Sequence, residues 1–179
     1  MRRAMFLVAM LSALGASAGD SFVLTSINFL DGRNIPVKHT KSKILGGRNI
    51  SPSLAWKNPP KGTKSFVLAC VDTNPIAKRW VHWVVVNIPA SVKRLKQGAS
   101  PKAIPQGAVE LKNSFGVAGW GGPKPPRGTG VHKYVFTLYA LDVADLGIPK
   151  GTFLSRADLI AKLKGHILAK AVLTGLYER

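Results

Sequence analysis

Apolar and polar positions along this chain alternate in short runs far more often than they follow a helical period. Ser21 to Phe29 shows brief apolar alternation, and the segment is predicted to be extended. Ser65–Val71 and Val81–Ile88 are β-branched and aromatic runs bounded by turn residues, which predicts central strands. In His132–Leu141, Tyr134, Phe136, Leu138 and Ala140 point one way while Val135, Thr137, Tyr139 and Leu141 point the other. Both faces are largely apolar, so this strand is expected to be buried on both sides. A single helix is predicted late in the chain. Ser155 is its N-cap, Asp158 its N3 residue, and Leu159, Ile160 and Leu163 form the apolar stripe. It should end near Gly165, and Ile167–Tyr177 then reads as a closing strand. Long loops fill Lys38–Ser53 and Val92–Gly122. The pattern is that of a mainly β protein, a β-sandwich with a small helical addition, without repeats or a second domain.

The N-terminus changes where this fold is expected to work. Arg2 and Arg3 precede an apolar stretch from Ala4 to Ala16, too short to span a bilayer, and Ala16-Ser17-Ala18 has the form of a cleavage site. Residues 1–18 are therefore expected to be a signal peptide, and residues 19–179 a single domain that is periplasmic or secreted. About 160 residues suffice for one sizeable core. The lone cysteine, Cys70, lies in the run Phe66–Val71 and is expected to be a buried, inert thiol.

Charge narrows the partners. Lys and Arg number 26 against 8 Asp and Glu, and removing Arg2 and Arg3 still leaves a balance of +16. Such a field attracts anionic membrane surfaces, acidic proteins and other polyanions. The cations are spread along the chain with no arginine-rich tail and no helix-turn-helix, RNA-recognition or zinc-finger pattern, so a specific nucleic-acid partner is not expected.

Candidate chemistry centres on two histidines. The segment Gly122-Pro123-Lys124-Pro125-Pro126-Arg127-Gly128-Thr129-Gly130-Val131 is stiffened by proline, freed at glycine, and delivers His132 to a strand. His82 sits within Arg79-Trp80-Val81-His82-Trp83. Taken singly, these residues have ordinary structural readings. A strand histidine is commonly a satisfied structural one, Trp80, Trp83 and Tyr134 are commonly core aromatics, and Asp72 at a strand end commonly caps a turn. Trp56 and Trp120 fit either packing or a pocket rim. His39 and His166 have no companion pattern and read as surface or structural residues.

Several stretches occur together in a characteristic order: Ser51-Pro52-Ser53-Leu54-Ala55-Trp56, Asp72, Trp80-Val81-His82-Trp83 through Asn87-Ile88-Pro89-Ala90, the Gly/Pro loop ending in His132-Lys133-Tyr134, Gly165-His166-Ile167-Leu168 and Gly175-Leu176-Tyr177. In this the chain resembles the phosphatidylethanolamine-binding protein family, also called Raf-kinase-inhibitor-like proteins, and in particular its bacterial exported members. The resemblance spans essentially all of 19–179. It implies an antiparallel β-sandwich with a small anion pocket built from Asp72, Trp80, His82, Pro125, Pro126, His132 and Tyr134. Two positions depart from the family pattern. The usual Asp-Pro-Asp-Ala-Pro run is Asp72-Thr73-Asn74-Pro75-Ile76 here, and Lys124 stands where bacterial members often carry cysteine.

If His82 and His132 converge near Asp72, the carboxylate can fix a ring tautomer, and a protonated imidazole would hold an anion. Loop N–H groups could add a nest for further oxygens. The expected function is an exported, non-enzymatic binding protein for a small anion (phosphate, a phosphate ester such as a phospholipid head group, or a carboxylate), with modulation of another protein left open. No cofactor is called for. The alternatives are a hydrolase, metal-dependent through His82, His132 and a carboxylate or using histidine as a base, and a periplasmic inhibitor or interaction protein without a small ligand. Against the hydrolase, residues 19–179 contain neither an H-E-x-x-H nor a G-x-S-x-G motif. The oligomeric state is left open, a homodimer included.

Overall fold

A computed structural model describes residues 21–179; the expected signal peptide over 1–18 lies outside the described residues. Ten regular elements follow in order: β1 (Val23–Thr25), β2 (Arg33–Asn34), β3 (Leu54–Lys57), β4 (Ser65–Asp72), β5 (Val81–Pro89), β6 (Arg94–Leu95), β7 (Val109–Glu110), β8 (His132–Leu141), α1 (Arg156–Leu163) and β9 (Ile167–Tyr177). The strands form a three-stranded sheet in the order β1-β3-β6 and a six-stranded sheet in the order β2-β9-β8-β4-β5-β7.

The long strands lie where the alternation predicts them. β4 is buried at every position, because both of its faces meet apolar partners. One face joins a core in which Leu24, Leu54, Trp56 and Leu95 of the small sheet meet Phe66, Leu68, Trp83, Val85, Phe136 and Leu138 of the large one. The other face carries Val67, Ala69, Val71, Val84, Val86, Tyr139 and Leu141 against Leu159 and Leu163 of α1. Each fully buried Leu or Phe contributes about 1.5–3 kcal/mol, so these two layers dominate the stabilisation. β8 is buried on both sides only from Leu138 onward. Its first half leaves Lys133 exposed and Val135 and Thr137 half-buried, facing a small cleft that Arg156, Leu159 and Ile160 of α1 also line.

The purely antiparallel expectation is corrected at one edge. β2 pairs with β9 in parallel, Arg33 opposite Gly175 and Asn34 opposite Leu176. Gly32 N–H donates to Thr174 O and Ile35 N–H to Leu176 O, each at 2.8 Å. Gly175 makes this pairing possible: a Cβ there would stand 2.4 Å from Cγ1 of Ile35, which is buried against it. A two-residue strand has no alternating run to read. The same holds for β6 and β7, and β1 is only three residues of the stretch predicted from 21 to 29.

Candidate functional site

The site begins with an irregularity in β5. Cys70 of β4 pairs with Trp83, but the next residue, Val71, pairs with Val81, so His82 is the extra residue of a β-bulge. The bulge breaks strict alternation and lets two consecutive side chains, His82 and Trp83, face the same core aromatics. The His82 ring lies 5.0 Å from Tyr134 and 6.4 Å from Trp120, and Trp83 lies 5.8 Å from Trp120. Gly121 secures the histidine twice. Its N–H donates to His82 O, and its carbonyl accepts from His82 Nδ1–H. A Cβ on Gly121 would sit 2.5 Å from the Phe115 ring, so glycine is what allows this close passage. Because a carbonyl only accepts, His82 carries its proton on Nδ1 and Nε2 holds a lone pair. Burial pushes the His82 pKa down to about 4, an effect only partly offset by Gly121 O and Asp72.

His132 opens β8 at the end of the Gly/Pro loop. Its Nδ1–H donates to Asp72 Oδ2 at 2.6 Å, and its Nε2 lies 2.9 Å from Thr129 Oγ1. Thr129 Oγ1 also lies 2.8 Å from Pro126 O, so its single proton serves one of these two partners while the loop folds back onto the ring. The other Asp72 oxygen accepts the Asn74 N–H at 2.9 Å. Asp72 therefore does cap a turn, and it also orients His132. Asn74, the departure from the family pattern, caps the following 3-10 turn by accepting from Ile76 N–H at 3.0 Å.

Tyr134, paired with Asp72 across β4 and β8, is fully buried, and its hydroxyl has no hydrogen-bond partner among the described residues. Burial, reinforced by the Asp72 charge, holds that hydroxyl well above the usual tyrosine range, so it is a proton donor at every working pH. A buried, unpaired hydroxyl costs about 1–3 kcal/mol, which makes it unusual in a settled core.

These groups share one cavity of about 670 Å3, whose lining includes Asp72, Trp80, His82, Pro125, Pro126, His132 and Tyr134. All seven residues named from the sequence lie there, but in different roles. Among the described residues His82 Nε2 has no partner, and the Tyr134 hydroxyl is unpaired and buried beneath the cavity wall. Asp72 and His132 are engaged with each other. Trp80, 40% exposed, stands at the rim edge-on to Phe115 at 5.3 Å. The nest expected from the loop is curtailed, because Gly122 N–H donates to Asn49 Oδ1 and Gly128 N–H to Arg179 O.

Other lining residues carry no local sequence signal. Lys78, Arg79, Ser114, Phe115, Lys124 and Phe153 come from four separate segments. Lys78 and Arg79 hold φ of 48° and 63°, a consecutive pair in the left-handed region. Such backbone costs about 1–3 kcal/mol per residue and persists where the surroundings impose it. Lys41 lies 3.9 Å above the Phe115 ring, and its pKa is lowered by burial and by the charges of Lys124 and Lys43. Trp56 and Trp120 resolve as packing residues, Trp120 donating from Nε1 to His39 O at 3.0 Å. His39 is buried and structural, bonded to Ile50 O, and the half-exposed His166 pairs with Asp142 at 3.0 Å. Cys70 is buried, its thiol pushed up by burial and by Asp72. No cluster of three His, Cys, Asp or Glu side chains among the described residues is arranged to hold a metal ion.

Comparison with known proteins gives the same outline. The family model for phosphatidylethanolamine-binding protein matches residues 25–178. A UPF0098 protein of Aquifex aeolicus is 40% identical over 164 residues, covering 91% of this chain and 92% of its own length. A protein of Mycobacterium tuberculosis that bears the name of a lipoprotein, LppC, is 35% identical over 164 residues, covering 91% of this chain and 75% of its own. The crystal structure of Escherichia coli YbcL, described as a new member of the mammalian PEBP family, aligns with a TM-score of 0.80 at 38% identity. That alignment covers 88% of this chain and 98% of YbcL.

Proposed function

The chain belongs to the phosphatidylethanolamine-binding protein family, and from that premise we propose that it is an exported, non-catalytic binding protein whose cavity holds a small anion of the phosphate-ester or carboxylate class. The observation that carries this reading is a cavity with aromatic, proline and cationic lining whose wall includes His82, with no partner at Nε2 among the described residues, and Tyr134, whose buried hydroxyl also has none. Leaving the buried Tyr134 hydroxyl unpaired costs stability, and a ligand that bonds to it recovers it. Lys78, Arg79 and Lys124 around the opening supply the complementary charge. Export is supported by the Arg2-Arg3 pair, the apolar run and Ala16-Ser17-Ala18. A protein isolated from the cell envelope and beginning at Gly19 would agree; one that keeps Met1 and stays in the cytoplasm would not.

Calorimetric titration of residues 19–179 with inorganic phosphate, phosphoethanolamine and acetate tests the site. Tyr134→Phe is the decisive variant, since it removes one hydroxyl and no volume. Binding should weaken by about 10- to 100-fold, the worth of a hydrogen bond to a charged group. Unfolding stability should stay level or rise, because the unpaired hydroxyl is gone. Equal binding by wild type and variant overturns the assignment.

A further inference from the structure

The hydrogen bonds around the two histidines restrict which anion the cavity accepts. His132 has both ring nitrogens engaged, by Asp72 and Thr129. His82 has Nδ1 engaged by Gly121 O, and its Nε2 has no partner among the described residues. Unlike Nε2 of His39, it is not sealed from solvent, and it opens on the cavity that His82 lines. The free nitrogen therefore offers a lone pair, and a lone pair repels an anionic oxygen while it accepts from an O–H. Resting on the anion-pocket reading above, we propose that the cavity selects anions carrying an acidic proton of their own, monoprotonated phosphate monoesters foremost, and discriminates against phosphodiesters, with His82 as the specificity-determining residue.

In the fitting complex the ligand's P–O–H donates to His82 Nε2. One remaining oxygen accepts from Tyr134 Oη–H, which is covered in the unliganded chain and is uncovered as the ligand enters, and another faces Lys124 or Arg79 at the opening. A diester has no O–H to give. It must either meet the lone pair or bring a proton onto His82. The groups facing His82 do not supply that proton cheaply. Asp72 on β4 favours the imidazolium, but Asp72 is already bonded to His132 on β8, and His132 and Lys41 oppose a second positive charge. Tyr134 is a donor that does not ionise in this range, and Lys124, Lys78 and Arg79 add further positive charge at the rim. At pH 7 a group titrating near 4 is charged in only about one molecule in a thousand.

The test titrates the wild-type protein, residues 19–179, with several aryl phosphate monoesters whose second pKa values differ around the usual value of about 6. Each is matched by its methyl diester, and the range runs from about pH 4.5 to 8.5. Monoester affinity should be level below the ligand's own second pKa and fall about tenfold per pH unit above it. The break should move with the ligand. The diester should bind at least about tenfold more weakly than its monoester at pH 5.5, the loss of one hydrogen bond to a charged group. His82→Gln, whose amide can donate, should bring the two within about threefold. Should that variant not fold, the wild-type series decides alone. Affinity that stays level or rises as the monoester becomes a dianion, or a diester within threefold of its monoester on wild type, overturns this selectivity and leaves the anion pocket standing. No binding of any of these anions, or of inorganic phosphate, at any pH overturns both.

Discussion

At the scale of single residues, the cavity is set by what its side chains leave unbonded. His82 and His132 look equivalent as letters, yet one is free at Nε2 and the other is engaged at both nitrogens. That difference has a stability signature. The unfolded chain takes up a proton on His82 near pH 6.5, whereas burial delays uptake in the folded chain to about 4. Between those values the unfolded state binds more protons. The contribution of neutral His82 is therefore complete above pH 6.5 and lost as the pH falls towards 4, about 3 kcal/mol in all. Denaturant unfolding at pH 7 and 4.5 should show wild type losing more stability on acidification than His82→Gln by about 2 kcal/mol, most of that total. A variant with the same acid sensitivity as wild type would place the loss elsewhere. Both histidines and Tyr134 were legible in the sequence as a group, through the order of the motifs around them. Their division of labour was not, because it depends on Gly121, Thr129 and Asp72, which come from distant segments or from turns.

Among elements, the local signals were the most readable. α1 forms where Ser155 and Asp158 announce it, and both halves of the capping box are present. Only Leu159 and Leu163 of this eight-residue helix are buried, so the cap is a substantial part of what holds it. Ser155→Ala should cost about 1 kcal/mol and lower Tm by roughly 2–4 °C. Ser155 also lines the cavity, so calorimetry on the same variant reads whether a frayed helix start disturbs binding. A Tm unchanged within 1 °C, about the error of a thermal melt, would mean that packing alone fixes the helix. The long strands β4, β5, β8 and β9 were also visible, since each carries enough β-branched and aromatic residues to show its period. The bulge at His82 was not. Its cause is the slip between Cys70–Trp83 and Val71–Val81 pairing, which no count along one strand reveals. β2 was missed for a related reason: two residues pair in parallel with β9 because Gly175 gives Ile35 room.

For the whole molecule, the acids are spent internally. Asp31, Asp72, Glu110, Asp142, Asp145 and Asp158 each accept a hydrogen bond from a backbone or neutral side-chain donor or from histidine. No Lys or Arg among the described residues pairs with any of them within 4 Å. The cationic surplus is thus uncompensated by ion pairs to Lys or Arg among the described residues, and we expect it to act at long range and to be screened by salt. Vesicles containing anionic lipid should bind the protein at low ionic strength and release it as salt rises several-fold, and Tyr134→Phe should leave this unchanged. Salt-insensitive binding, or binding abolished by that variant, would tie the membrane to the cavity instead. Charge balance, the mainly β character and the capped helix are properties of composition and short-range pattern, and the sequence by itself determined them; the grouping of the two histidines came from the resemblance to the family. The tertiary structure decided what needs three dimensions. It brings Lys78, Phe115, Lys124 and Phe153 to one opening, turns His82 beside Trp83 through a bulge, and leaves Tyr134 and one imidazole nitrogen without partners. The physical reason is that hydrogen-bond satisfaction is a property of the closed fold. Which polar groups remain free is settled only when every other donor and acceptor has found its place.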